Sequence, residues 1–136
     1  MPFHFEFDKK NKILLIVVEG DYGDDEQVII NGRIREKCKE LGAVAGIGDM
    51  SGVTAFNVSL GVLQNAAKAP APYDVGVPRY LVAPADHTFG MSRMYQLAAD
   101  KTRAGLKVVR SREEALADLG VRNASFERVS ELAEAL

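Results

Sequence analysis

Six consecutive apolar residues, Ile13 to Val18, constrain this chain more than any other feature. A β-branched and leucine run of that length, closed by Gly20, Asp21 and Gly23, is the pattern of a strand covered on both faces. It is far short of the ~20 residues that span a bilayer, so no membrane insertion is expected. A strand covered twice needs a layer on each side, and the flanking pattern supplies them. Phe3, Phe5 and Phe7 alternate with His4, Glu6 and Asp8, the period of a strand with one covered face, expected as an antiparallel edge. From Asp24 the period changes to that of a helix, with acids at Asp24, Asp25 and Glu26 and an end before Gly42. Ile30, Ile34, Cys38 and Leu41 fall on its inner face.

Ala43 to Ile47 predicts a second strand, and GDMSG after it predicts a loop. A helix over about 59–68 with Leu60 and Leu63 inward follows. Proline-rich KAPAPYDVGVP predicts an exposed connection. Arg79 to Ala83 predicts the third strand, and a helix opens at Asp86 with Met91, Met94, Tyr95 and Ala98 on one face. Leu106 to Val109 predicts the last strand. Ser111 with Glu114 is a capping-box pattern, and Gly120 closes the final helix. Strands alternating with helices imply right-handed crossovers onto a mixed, mostly parallel sheet, an α/β fold. At 136 residues one domain is expected, over 1–120, with a helical extension over 121–136 in which Phe126, Val129, Leu132, Ala133 and Leu136 share a face.

Charge narrows the function. Lys plus Arg number 17 against 19 Asp plus Glu, without the basic excess that drives phosphate-backbone binding, so nucleic acid is not an expected partner. One cysteine, Cys38, forms no internal disulfide, and MPFHFEFDKK carries acids where a secretory leader would be basic and then apolar; a cytoplasmic protein is expected. His4 and His87 belong to no metal-ligand spacing. GIGDMSG departs from G-x-G-x-x-G in the place of its third glycine, and Asp49 would oppose a pyrophosphate. Asp86 and His87 are adjacent, so their side chains do not face each other on a helix; Asp86 is expected as a cap. No serine sits in G-x-S-x-G. Neither a catalytic group, a metal nor a cofactor is expected.

The segment IGDMSGVTAFNVSLGVL, Ile47 to Leu63, resembles the central motif of STAS domains, the family of sulfate-transporter cytosolic domains and SpoIIAA-like anti-sigma-factor antagonists. In that motif a strand ending D-[LM]-[SG]-x-V leads through an aspartate and a phosphorylatable serine into a helix beginning G-L. Asp49, Met50, Ser51, Gly52 and Val53 match; Asn57 stands at the aspartate position and Val58, without a hydroxyl, at the phosphoacceptor. Ser59, one residue on, is expected to cap the helix. YLVAPADHTFGMSRMYQLAAD, Tyr80 to Asp100, resembles a branch of small stand-alone bacterial proteins of this fold. The resemblance implies a STAS fold and a non-enzymatic interaction or regulatory module, with partner contacts at Asn57, Val58, Ser59 and Leu60. The partner is another protein or a second copy forming a homodimer through the Phe3–Phe7 edge or the C-terminal stripe. An alternative reading is a carrier or sensor for a small apolar or anionic ligand, held by His87, Met91, Arg93, Met94 and Tyr95.

Overall fold

The computed structural model describes residues 3–68, 77–98 and 106–129. The order is β1 (Phe3–Asp8), β2 (Ile13–Gly23), α1 (Asp24–Leu41), β3 (Ala45–Asn57), α2 (Leu60–Lys68), β4 (Arg79–Val82), α3 (Asp86–Ala98), β5 (Leu106–Val109), α4 (Arg112–Leu119) and β6 (Glu127–Arg128). They form one sheet in the order β5-β4-β3-β2-β1-β6. β2, β3, β4 and β5 are mutually parallel, and β1 runs antiparallel to both of its neighbours.

Each parallel step moves the same way across the sheet, and right-handed crossovers then place every connecting helix on one face. Ile30 and Ile34 of α1, Leu63 of α2, and Met91 and Tyr95 of α3 all join the core over that face, with Leu14, Ile16 and Val18 from β2. The return from β5 to the far edge uses the opposite face, where Ala115, Leu116 and Leu119 of α4 cover Ile13, Leu15, Ile47 and Val82. β2 is therefore covered twice, as its unbroken apolar run implies.

The glycine end of α1 is built as expected, and so is the serine half of the α4 capping box, whose reciprocal bond goes elsewhere. Gly42 closes α1 in the left-handed region at φ 68°, its N–H reaching Cys38 O at 2.9 Å. Ser111 Oγ accepts the Glu114 N–H at 3.1 Å, while the Glu114 carboxylate accepts from Arg110 N, one residue before the cap. Cys38 is half-buried against the helix-side core.

Several expectations are corrected. GDMSG is strand: β3 continues through it to Asn57. Its glycines serve close approach, because a Cβ on Gly48 would stand 3.1 Å from Leu81 Cδ2 and one on Gly52 would stand 2.9 Å from Glu19 Cγ. β1 is interior, since β6 pairs with Glu6 and Phe7 along its outer side. Residues 127–128 are extended where a helix was expected, and Phe126 and Val129 pack on opposite faces of the sheet, as extended chain dictates. Residues 130–136, and most of the proline-rich connection, lie outside the described residues. Leu60 points outward, leaving Leu63 and Ala67 as the buried residues of α2. On α3 the inner face is Thr88, Ser92, Met91 and Tyr95; Met94 is exposed, and the Ala98 side chain is outside the described part.

The β1–β2 turn is tied to the chain after α4 by one carboxylate. Asp8 accepts from Lys10 N at 3.0 Å, Asn11 N at 3.1 Å, Asn11 Nδ2 at 2.8 Å and Ser125 N at 3.2 Å. Burial raises its pKa, but the hydrogen bonds, led by the Asn11 side chain, outweigh burial and hold it below the usual value. A depressed carboxyl contributes stability above its unfolded pKa, and that contribution is lost as the pH falls through the folded one. Asp8→Asn, whose amide would oppose two donors, is expected to cost about 1–2 kcal/mol at neutral pH. The gap from wild type should close as the pH drops below 3.8. Urea unfolding across that range checks it; a gap constant with pH would show that the charge contributes nothing.

Candidate functional site

β2 and β3 end side by side, Gly23 against Asn57, and their turns into α1 and α2 make a rim above the sheet; β4 ends earlier, Val82 level with Asp49, and α3 brings His87 to the rim beside Phe56. The β2–α1 and β3–α2 turns are tied by one bond between side chains and one from backbone to side chain. Asn57 Nδ2 donates to Asp21 Oδ1 at 3.0 Å, and Ser59 N donates to Asp24 Oδ1 at 2.7 Å. Ser59 Oγ accepts from Val62 N at 3.3 Å, the capping role expected of it. Of the four residues expected to meet a partner, Asn57, Ser59 and Leu60 are exposed, Leu60 at 49%, whereas Val58 is only 6% exposed and packs into the core. Burial makes Val58 a support beneath the rim. Beside it, the Phe56 ring lies 5.7 Å from Tyr22 and 6.2 Å from His87. Tyr22 donates to Gln27 Oε1 at 3.1 Å; burial, then Tyr95 and Glu26, push its phenol well above the ordinary range, so it stays neutral.

The five residues expected to hold a small ligand do not converge. His87 is on the rim, Met91 packs into the helix-side core, and Met94 is exposed. Arg93 is exposed and donates to Gln96 on its own helix. Tyr95 alone of the five lines the cavity of about 100 Å³ between the sheet and helices α1, α2 and α3. That space depends on Gly46, Gly48, Arg79 and Ser92, which the sequence did not single out. The alternation of Gly46 and Gly48 along β3, beside Arg79 at the start of β4, could have shown a shared face, but not the hollow that Ser92 of α3 helps to line.

Asp86 is the first residue of α3 and accepts from Arg110 Nη1 at 3.0 Å. Arg110 also lies 3.7 Å from the Phe89 ring centroid. Asp49 faces α4, where Arg112 Nε donates to its buried carboxylate. Among the described residues no group of three or more His, Cys, Asp or Glu is placed to hold a metal, and no helix is long and apolar enough to cross a membrane.

No protein-family model and no curated protein sequence matches the chain. Solved structures do match. An uncharacterized DUF3478-family protein from Shewanella loihica PV-4, described as having a SpoIIAA-like fold, aligns with a TM-score of 0.54 and 11% identity over 86% of this chain and 91% of its own. This chain has the SpoIIAA-like, or STAS, fold. The unphosphorylated anti-sigma factor antagonist SpoIIAA gives a TM-score of 0.53 at 14% identity, covering 87% of this chain and 96% of that one. The phosphorylated SpoIIAA of Bacillus, described as a cell fate determinant, gives 0.50 at 13% identity over 86% and 98%. At such identities the likeness is one of fold, and what the STAS-like scaffold carries at its rim has to be read from this chain's own residues.

Proposed function

We propose that this chain is a non-enzymatic regulatory module of the cytoplasm that docks a protein partner through Asn57, Ser59 and Leu60, with Val58 holding the turn from below. The observation that carries the reading is an exposed leucine at the first position of α2, beside the Asn57 side chain that Asp21 holds and the Ser59 backbone that Asp24 holds. Protein contacts centre on such apolar anchors with a polar border. The fold neighbours include an anti-sigma factor antagonist solved in phosphorylated and unphosphorylated forms. Here the position matching the phosphoacceptor is a buried valine, and the next hydroxyl, on Ser59, is engaged in capping. A phosphoserine acts by placing charge where a partner reads it. In our reading the docking of this chain is not gated by phosphate at that turn.

Photo-crosslinking tests it. A benzophenone side chain at position 60 should give one discrete adduct in the native cytosol, and the same group at Val44 should give none. Val44 is 55% exposed but precedes β3, at the opposite end of the sheet. An adduct of twice the chain's mass identifies a homodimer; any other single mass identifies a different protein. Equal labelling at both positions, or none at position 60, overturns the rim as the docking surface.

A further inference from the structure

The inner face of α1 is set by Gln27, Ile30, Ile34 and Lys37, all buried. The opposite face includes Asp25, Val28, Ile29, Gly32, Glu36 and Lys39, all exposed and recurring at the spacing of one helix side. A helix covered on one side ordinarily turns polar residues to water, yet Val28 is 69% and Ile29 43% exposed. Between these two and Glu36 stands a glycine, in the interior of an 18-residue helix. Glycine there costs helix stability relative to alanine, and no described neighbour requires it. Gly32 is not in the left-handed region, and a Cβ built on it would meet open space.

We propose that this face of α1 pairs with the same face of a second copy of the chain, the two helices antiparallel and crossing at Gly32. Charge decides for a second copy, because the face is complementary to itself under a two-fold axis. Asp25 and Lys39 each lie seven residues from Gly32, about two turns to either side. An axis through the crossing therefore brings Asp25 of each copy level with Lys39 of the other. A parallel pairing would set Asp25 against Asp25 and Lys39 against Lys39, at a cost. Val28 falls level with Glu36 of the second copy and leaves water together with Ile29, which favours association. Hydrogen in place of a side chain at the crossing lets the backbones approach more closely than the roughly 8–10 Å usual between helix axes. Asn57 to Leu60 belong to β3, α2 and the turn between them, outside this face, so the pairing and the docking rim stand or fall separately.

Sedimentation equilibrium of the full chain tests the pairing. One helix pair is a small contact, so a monomer–dimer equilibrium with a dissociation constant of about 10–100 µM is expected. Gly32→Leu raises helix propensity and so keeps the fold, but its side chain occupies the crossing and should weaken the dimer by about tenfold or more. Asp25→Lys alone sets like charges against each other and should weaken it several-fold. Adding Lys39→Asp to that variant restores opposite charges at both contacts and should recover most of the loss. A chain that stays monomeric up to about 1 mM, a dissociation constant unchanged by Gly32→Leu, or no recovery in the double charge exchange overturns the proposal. A dimer that ignores Gly32→Leu and is lost in Leu60→Ala overturns it as well, and places self-association on the rim.

Discussion

Leu14→Ala and Leu15→Ala are each expected to lower the unfolding free energy by about 3–4 kcal/mol, although the two residues are adjacent and face opposite ways. Both are wholly buried, Leu14 under the three-helix layer and Leu15 under α4. A strand that is apolar on both faces is a wall shared by two cores, so each deletion leaves a cavity that the sheet cannot close by collapsing. For a chain of this size the melting temperature should fall by roughly 10 °C in either variant. The double variant should lose about 6–8 kcal/mol, comparable to the whole stability of an ordinary domain, and should not fold. Leu60→Ala supplies the contrast, since an exposed leucine should cost less than about 0.5 kcal/mol. Urea unfolding of the four variants gives the comparison. A loss under 1 kcal/mol for Leu15→Ala would mean that α4 does not seal the second core.

The contrast between Leu15 and Leu60 also shows what could be read in advance. Ile13 to Val18 announced a doubly covered strand because only a strand flanked by two layers tolerates six apolar residues in a row. Caps at Gly42, Ser111 and Gly120 were legible because each is a local chemical event within four residues of its partner. The course of β3 was not. Glycine beside Asp and Ser reads locally as a turn, whereas the cause of Gly48 and Gly52 lies in the neighbouring strands, at Leu81 and Glu19. Helical periodicity likewise placed Met94 and Leu60 inward, yet it cannot say how wide a stripe the sheet covers; Thr88 and Ser92 took the space on α3. The rim fell on Asn57 to Leu60 through a motif contained in a single turn. The cavity could not be found that way, because Gly46, Arg79 and Leu106 become neighbours only through sheet register.

Arg112→Ala should cost about 2–3 kcal/mol, a loss due to what it leaves behind. Asp49 has a side chain 6% exposed, and its carboxylate accepts from Ser51 N at 2.9 Å, from the Ser51 hydroxyl and from Arg112 Nε. Without Arg112 a charge stays buried with the Ser51 donors alone, and breaking a fully buried pair from one side costs about 3–5 kcal/mol. The partner's 37% exposure brings the expectation down, since water can reach the vacated space. Adding Asp49→Asn to Arg112→Ala should then recover about 1 kcal/mol, because the uncompensated charge is gone; in wild type the same Asp49→Asn should be destabilising. Strictly additive losses would mean that the two residues are not coupled. Asp49 stands on the strand that ends at Asn57, and its bond to the first residue of α4 ties that strand to the back layer. A purely structural Asp49 lowers stability and leaves the crosslink at position 60 intact wherever the variant is folded. If Asp49→Asn removes that crosslink with no change in the urea midpoint, the aspartate itself meets the partner, and the docking surface extends down β3 beyond the rim.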